Sequence, residues 1–242
     1  VATENGLEIR EIPQPKPKPF ELVVKVKAAG LNRADLAAAR GKGGHGATGA
    51  TVGLDWAGEV VEVGAEAKGG FKRGDRVMCA GAGGYAEYAV CDWGRVVHIT
   101  DDMAFEHAAT LPVALGTMHD ALVTNGRLKA GESVLIQGAS SGVGLMALQI
   151  AKLLGARLVV GTSTNAERRA RLKEFGADLA VDTKEPNWPD LVLKATDGQG
   201  VDLIVDQVSG SLMNGNMRAA AIRGRIVNVG RLGGGKAERR EN

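Results

Sequence analysis

The residues with the clearest chemical role form a glycine turn at positions 134–144, with the sequence VLIQGASSGVG. One apolar run before the turn and another after it are the order of a strand, a tight turn and a helix. The first N–H groups of a helix have no partner within it and lie at the positive end of its dipole, so they attract phosphate. Because Gly138, Gly142 and Gly144 carry no side chains, a pyrophosphate could come close to this backbone. The stretch therefore predicts a dinucleotide site.

The match to the dinucleotide fingerprint GxGxxG is partial. In the six-residue frame 139–144 the first two glycines are replaced by Ala139 and Ser141, and only the third, Gly144, is kept. A glycine-rich turn that binds nothing is therefore an alternative. The context favours the nucleotide interpretation, because a strand precedes the turn, a helix follows it and a second strand ends about twenty residues later.

The end of that second strand, GTSTNAERR, bears on which nucleotide is bound. An NAD site usually has Asp or Glu there for the ribose 2′-hydroxyl, whereas this chain has Ser163, with Arg168 and Arg169 just after it. Arginines in the first turn of a helix oppose its dipole, which indicates that an anion offsets them. We therefore expect NADP(H). The alternative is a solvated basic helix face, since Arg171 and Lys173 continue the charge.

The residues before position 116 have the pattern of a β-rich unit. Residues 13–19, PQPKPKP, must be extended, because each proline disfavours helix for itself and for its predecessor. The run ELVVKVKA at 21–28 alternates apolar residues with lysines, as a half-buried strand does. Further strands are expected at 59–63, 75–79, 84–90 and 96–99. They predict a small barrel or sandwich, followed by a short helix that begins at Asp101 or Asp102.

From about residue 116 onwards, strands alternate with helices. SVLIQG is typical of a buried strand, and residues 142–154 of an apolar helix that Gly155 stops. RLVVGTS is the next strand, and Asn165 and Gly176 cap and stop the helix after it. The remaining strands are DLAVD, VDLIVDQ and GRIVNVG, with helices at 189–196 and 211–220. Five strands with four intervening helices predict a doubly wound parallel sheet, whose ligand crevice lies beyond the carboxyl ends of the strands.

Composition excludes several function classes. Lys plus Arg (30) and Asp plus Glu (28) nearly cancel and are scattered, so we expect no binding of nucleic acid or anionic lipid. The longest charge-free run, 133–151, holds too many glycines, serines and glutamines for a membrane span. Two cysteines cannot form a disulfide framework, which favours a cytoplasmic location. The sequence opens without Met or an apolar leader, so either nothing targets it or its true start is missing.

A series of short motifs, in a particular order and spacing, runs along nearly the whole chain. They are AAGLNRAD (28–35), GLDWAGEVVEVG (53–64), GDRV (74–77), GGYAEYAV (83–90), AATLPVALGTMHDAL (108–122), the glycine turn, GVDLIVDQVSG (200–210) and GRIVNVG (224–230). With these motifs the chain resembles the medium-chain dehydrogenase/reductase superfamily, and within it the zinc-free quinone oxidoreductase and enoyl reductase branch.

The resemblance implies an α/β protein of two domains. A GroES-like β-barrel domain is expected at 1–115 and a Rossmann domain with a doubly wound parallel sheet at 116–242, with the nicotinamide held between them. Relatives continue for about half a domain more, so the Rossmann sheet is expected to be incomplete at its C-terminus. The resemblance also implies a small-molecule substrate and is compatible with a homodimer, since relatives often pair through an edge strand.

The resemblance also assigns the residues of the NADP(H) site. They are Asn32 and Thr117 at the nicotinamide, Ser141, Gly142, Val143 and Gly144 in the pyrophosphate turn, Ser163 and Arg168 at the 2′-phosphate, and Val208, Asn228 and Gly230 at strand ends beside the cofactor. Asn32 and Thr117 are also the candidates for a catalytic role.

A zinc site is not expected. Zinc-dependent relatives have a Cys where this chain has Asn32 and a GHE triplet where it has Gly, Leu and Asp at 53–55. The cysteines lack CxxC spacing, and the histidines are scattered, at His45, His98, His107 and His119. Without a metal to polarise a carbonyl, alcohol oxidation is disfavoured. The resemblance then implies hydride delivery from NADPH to a quinone or to the activated C=C bond of an enone or enoyl thioester.

Two rival interpretations compete with this one. The glycines also satisfy the GxxxGxG of short-chain dehydrogenases, but the Tyr and Lys that this class needs after the turn are missing, since Tyr85 and Tyr88 precede it. The other rival is a non-catalytic nucleotide-binding protein on the same scaffold, because no acid or base is evident near the cofactor. Asp35 is expected to be structural, and His45 to lie in a solvated loop.

Overall fold

A computed structural model of the chain describes residues 1–3, 6–39 and 49–233. His45 lies outside these residues. The chain divides into two compact units, Val1–Val113 and Ala114–Asn242. Within the described ranges, no helix has both the length and the apolar character that crossing a membrane requires.

The first unit is built on an antiparallel sheet of five strands. Two short strands, β1 (Ala2–Thr3) and β2 (Gly6–Leu7), pair separately with each other. The elements of the sheet and its flanking helices are β3 (Glu21–Gly30), α1 (Arg33–Ala39), β4 (Asp55–Val63), β5 (Arg76–Ala80), β6 (Tyr88–Asp92), β7 (Val96–His98) and α2 (Phe105–Ala108). The strand order is β6-β3-β4-β5-β7. This unit is the expected GroES-like domain.

Apolar alternation drives the sheet to form, as β3 illustrates. From Val24 onwards, buried or half-buried apolar residues alternate with the exposed Lys25 and Lys27, whereas Leu22 and Val23 before them are both fully buried. The sheet curls strongly. Cys79 on β5 and Cys91 on β6 are both free and buried, and their Sγ atoms lie 3.1 Å apart although two strands separate β5 from β6. The curl encloses a core, as a small barrel does.

Two elements of this unit begin three or four residues later than the sequence pattern predicts. The helix expected from Asp101 or Asp102 begins at Phe105, because the Arg76 guanidinium donates to the carbonyl oxygens of Thr100 at 2.8 Å, Asp101 at 2.7 Å and Met103 at 2.5 Å. Those carbonyls are held as a turn. The strand expected from residue 84 begins at Tyr88, because the N–H groups of 84 and 85 bond instead to the backbone at 53 and 52.

The second unit contains the predicted parallel sheet. Its elements are α3 (Pro112–His119), a π-helical segment (Asp120–Asn125), β8 (Ser133–Gln137), α4 (Gly142–Leu153), β9 (Leu158–Thr162), α5 (Ala166–Ala170), a 3-10 segment (Arg171–Phe175), β10 (Leu179–Val181), α6 (Trp188–Ala195), β11 (Val201–Asp206), a 3-10 turn (Gly210–Leu212), α7 (Met213–Ala219) and β12 (Ala220–Asn228). The order is β10-β9-β8-β11-β12, and every neighbouring pair is parallel. The expected Rossmann arrangement is confirmed.

The central strand β8 fixes where the polar chemistry of this unit lies. All five of its residues are buried, and apolar clusters cover both faces of the sheet. Burying a side chain such as Leu135 or Ile136 contributes about 1.5–3 kcal/mol. The apolar run ends in a polar residue on three neighbouring strands, at Gln137 on β8, Thr162 on β9 and Asp206 on β11. These residues meet at the carboxyl edge of the sheet, beneath the glycine turn.

Candidate functional site

The three glycines of the turn after β8 have three different roles. Gly138 has φ of +70°, a left-handed conformation that other residues rarely adopt. A side chain at Gly144 would place its Cβ 2.6 Å from the backbone of Ala139, so this glycine lets α4 pack against the turn. A Cβ at Gly142 would meet no atom within 4 Å. The open face needed for a ligand is therefore at Gly142.

The first turn of α4 offers free N–H groups to that open face. The Ser141 hydroxyl caps the helix, because its Oγ accepts from the Gly144 N–H at 3.0 Å and lies 3.0 Å from the carbonyl oxygen of Gly138. Ser141 therefore uses its hydroxyl in the turn, and its Oγ also lies 3.2 Å from Gln207 Oε1 on the segment after β11. The N–H groups of Gly142 and Val143 have no acceptor among the described residues. They are the donors available to an anion.

The carboxyl end of β9 provides a cationic group. Ser163 is buried, and its Oγ donates to Ser140 Oγ at 2.9 Å, which connects this strand end to the glycine turn. Asn165 caps α5 as expected, by accepting from the Arg168 N–H at 2.9 Å. The Arg169 guanidinium is already bound, to the Ser163 carbonyl and to Asp182 at 2.8 Å each.

The Arg168 guanidinium differs from its neighbour in being exposed. It has no hydrogen-bond or ion-pair partner within the part of the chain that the structure describes. Of the two arginines that follow Ser163, Arg168 is thus the one available to an external anion.

Val208, Asn228 and Gly230 lie at the carboxyl edge of the same sheet. Val208 lies beside the glycine turn. A Cβ built on Gly138 would be 3.4 Å from Val208 Cγ2. Asn228 Nδ2 donates to Ser209 Oγ at 2.8 Å, and Ser209 Oγ donates to the Gly230 carbonyl at 2.9 Å. The segments after β11 and β12 are therefore tied together, and the Asn228 amide is partly used in doing so.

Thr117 and Asn228 line one groove in the second unit, which lies between the end of α3 with the π-helical segment after it and the end of β12. The groove has a volume of about 720 Å³. Its walls are formed by Gly116, Thr117, Asp120, Ala121, Asn125 and residues 226–229. Two of the predicted site residues, far apart in sequence, thus share one cavity wall.

Asn32, in the first unit, belongs to a compact polar cluster. Its Nδ2 donates to Asp55 Oδ2 at 2.8 Å, and Asp55 Oδ1 accepts from the Val113 N–H at 2.8 Å. Burial raises the pKa of Asp55. Asp35 accepts from the Asn32 N–H at 2.8 Å and from the Tyr85 hydroxyl at 2.9 Å. Burial is the main cause that raises the pKa of Tyr85, and its hydrogen bond to the Asp35 carboxylate raises it further, so the hydroxyl remains a donor.

Sequence reasoning missed the polar residues that support the turn. Gln137 and Asp206 end apolar runs, and a buried strand that ends in a polar residue is a signal that could have found them. Asn216, on α7, carries no such signal. For metals, the described residues contain no group of three or more His, Cys, Asp or Glu side chains that could hold an ion.

Comparison with known proteins identifies the family. The Alcohol dehydrogenase GroES-like domain family matches residues 18–101, and the Zinc-binding dehydrogenase family matches residues 142–240. A quinone oxidoreductase from Pongo abelii is 33% identical over 226 residues, which are 92% of this chain and 68% of the relative. The chain belongs to the medium-chain dehydrogenase/reductase superfamily, in its quinone oxidoreductase-like branch.

Other known proteins are similar over nearly the whole of this chain. A phenolphthiocerol/phthiocerol polyketide synthase protein of Mycobacterium tuberculosis is 33% identical over 229 residues, which are 94% of this chain and 10% of the relative. A mycobacterial protein solved in complex with NADPH is 29% identical with a TM-score of 0.84, covering 96% of this chain and 72% of that one. The chain thus spans a tenth of the polyketide synthase protein and about two thirds of the quinone oxidoreductase.

Proposed function

We propose that this chain binds NADPH and directs its hydride to a small electron-poor acceptor, a quinone or an activated C=C bond, without zinc. One observation carries the proposal. At the carboxyl edge of one parallel sheet, the N–H groups of Gly142 and Val143 have no acceptor among the described residues, and a Cβ at Gly142 would meet no atom within 4 Å. The Arg168 guanidinium, which also has no partner among those residues, follows the next strand. Donors for a pyrophosphate and a cation for a further phosphate are the groups that an NADP site needs.

The choice of NADPH over NADH is supported by the end of β9. Ser163 occupies the position where a carboxylate would bind the ribose 2′-hydroxyl and repel a 2′-phosphate. Arg168 can donate to that phosphate, whereas Arg169 is held by Asp182. A superfamily member of known structure is complexed with NADPH, which agrees with this assignment.

The residues of the chain would bind and orient, while the cofactor supplies the hydride when it is bound. Gly142 and Val143 would hold the pyrophosphate through their backbone N–H groups. Thr117 and Asn228, which line one groove, would bind the nicotinamide end. In the first unit, Asn32 would present its Oδ1, since its Nδ2 is bound to Asp55. We assign the first unit to the substrate and the second to the nucleotide.

Independence of zinc is supported by the pairing of Asn32 with Asp55. These residues stand where zinc-dependent members have a Cys and the GHE triplet, and here the amide and the carboxylate bind each other at 2.8 Å. The match to the Zinc-binding dehydrogenase family covers 142–240 and contains neither position. We expect metal analysis of the purified chain to find no stoichiometric zinc. One equivalent per chain would overturn this part of the proposal.

The function is tested by titration and turnover together. Quenching of protein fluorescence, or enhancement of cofactor fluorescence, gives Kd for NADPH and NADH. Oxidation of NADPH is then followed with para-benzoquinone and with cyclohexenone as acceptors. We expect tighter binding of NADPH than of NADH and turnover of at least one acceptor. Tight binding without turnover would favour the non-catalytic nucleotide-binding protein, and no binding of either cofactor would refute the site.

A further inference from the structure

Four buried polar side chains form a continuous hydrogen-bonded chain beneath the glycine turn. Thr162, Gln137, Asn216 and Asp206 are exposed by only 2%, 0%, 0% and 0%. Thr162 Oγ1 donates to Gln137 Oε1 at 2.8 Å, Gln137 Nε2 donates to Asn216 Oδ1 at 2.7 Å, and Asn216 Nδ2 donates to Asp206 Oδ2 at 2.8 Å. The chain crosses from β9 through β8 and α7 to β11, and its partners are as far as 79 residues apart in sequence.

Every bond in this chain points towards Asp206. An ionised carboxylate only accepts, so Asp206 fixes which way the amides of Asn216 and Gln137 face, and through them the direction of the Thr162 hydroxyl. No cation pairs with Asp206 within the described residues. Its other oxygen, Oδ1, accepts from the N–H groups of Val208 at 2.8 Å and Ser209 at 2.9 Å.

The two ends of the chain hold the two rims of the proposed nucleotide site. At one end, Thr162 Oγ1 accepts from the N–H of Gly138, the first glycine of the turn, at 3.0 Å. At the other end, Asp206 holds Ser209, which has φ of +58° and ψ of −159°, a conformation that is strained for a residue with a side chain. The same loop places Val208 beside Gly138, where a Cβ on the glycine would be 3.4 Å from Val208 Cγ2.

We infer that Asp206 is a positioning residue for cofactor binding, which sets both rims of the site through the Thr162–Gln137–Asn216 chain. The inference rests on the proposed function, because it assumes that the glycine turn binds the dinucleotide. Such a network keeps its donors aimed before the ligand arrives, so its loss appears in cofactor affinity. A side chain that served stability alone would lower the melting temperature without changing the affinity of the folded protein.

The central test moves the carboxylate of the hydrogen-bonded chain from position 206 to position 216. In Asp206→Asn, the new NH2 group faces the Asn216 amide. Either two donors meet there, or the amides of Asn216 and Gln137 turn over and leave the Thr162 hydroxyl without its acceptor. In the double variant Asp206→Asn with Asn216→Asp, each donor again has an acceptor, because position 216 can accept both from position 206 and from Gln137. Asp202→Asn is the matched control, because Asp202 lies at the opposite end of β11 and accepts from Ser133.

We expect Asp206→Asn to raise the Kd for NADPH by about tenfold, at the lower end of the losses found when a side chain that orients a binding site is removed. The double variant should recover most of that loss, and Asp202→Asn should leave Kd within about twofold of the wild type. KM for NADPH should rise more than kcat falls. A Kd unchanged in Asp206→Asn, or a double variant no better than the single one, would overturn the inference. If the wild type binds no cofactor, the proposed function itself has failed.

A second pair of variants covers the case in which Asp206→Asn does not fold. Thr162→Val removes the hydroxyl that receives the Gly138 N–H, while Thr162→Ser keeps it. We expect the Val variant to bind NADPH more weakly and to exchange the amides of 138–145 with deuterium faster than the wild type. The Ser variant should restore both properties. Equal affinities for the Val and Ser variants would contradict the inference.

Discussion

Replacement of Arg168 by alanine should change cofactor selectivity more than stability. The guanidinium is exposed and has no partner among the described residues, so its removal leaves no unsatisfied group in the free protein. A charge-assisted hydrogen bond contributes about 1.5–3 kcal/mol, and solvent screening at an exposed position lowers this to about 1–2 kcal/mol. The NADPH to NADH preference should therefore fall by roughly 5- to 30-fold.

The same stretch of chain supplies two matched arginines. Arg169 binds Asp182 and the Ser163 carbonyl, so Arg169→Ala should lower the free energy of unfolding and disturb the strand end that carries Ser163. Arg171 pairs with Glu174 on the exposed surface. Arg171→Ala should therefore change neither the free energy of unfolding nor the NADPH to NADH preference by more than about 0.5 kcal/mol. Position 168 alone should alter selectivity at unchanged stability.

The assay is a fluorescence titration of each variant with NADPH and NADH at two salt concentrations, beside urea unfolding. The expected preference for NADPH should weaken with salt, because the proposed contact between Arg168 and the 2′-phosphate is between exposed charges. Arg168→Ala should remove most of that dependence. If Arg168→Ala keeps the wild-type ratio of affinities while Arg171→Ala loses it, the phosphate pocket is assigned to the wrong part of the chain.

Two further predictions concern the turn and the edge of the same sheet. Gly144→Ala should cost about 1–3 kcal/mol in urea unfolding, because its Cβ would lie 2.6 Å from the Ala139 backbone. Gly142→Ala should leave stability within about 0.5 kcal/mol but weaken NADPH binding, and equal stability of the two variants would contradict this assignment. The Arg225 guanidinium donates to Glu132 at 2.9 Å and holds the pKa of that carboxyl below its usual range. The ion pair stabilises the folded state fully above the unfolded pKa of Glu132, and this stabilisation is lost as pH falls through the folded pKa. Arg225→Met should therefore lower the free energy of unfolding by about 1–2 kcal/mol near pH 7 and by progressively less in acid. A loss that does not depend on pH would be inconsistent with the ion pair.

Local pattern was sufficient wherever one physical period dominated. The strands and helices of the second unit follow the predicted order, and Asn165 caps α5 and Gly176 ends the segment after it as expected. Pattern failed where a distant side chain competes for backbone groups. Arg76 binds the carbonyl oxygens of residues 100, 101 and 103 and delays α2 to Phe105, which no local propensity at Asp101 could reveal.

The sequence by itself determined the alternation of strands and helices in the parallel sheet and the glycine turn after β8. Each of these depends on neighbours within a few positions, through apolar period, capping and the freedom of glycine. Only the tertiary structure decided that Arg169 is bound to Asp182, while Arg168 has no partner in the described part of the chain. It also decided that Gln137, Asn216 and Asp206 form one hydrogen-bonded series. Those facts depend on partners brought together by folding, because a hydrogen bond depends on distance in space and not on separation along the chain.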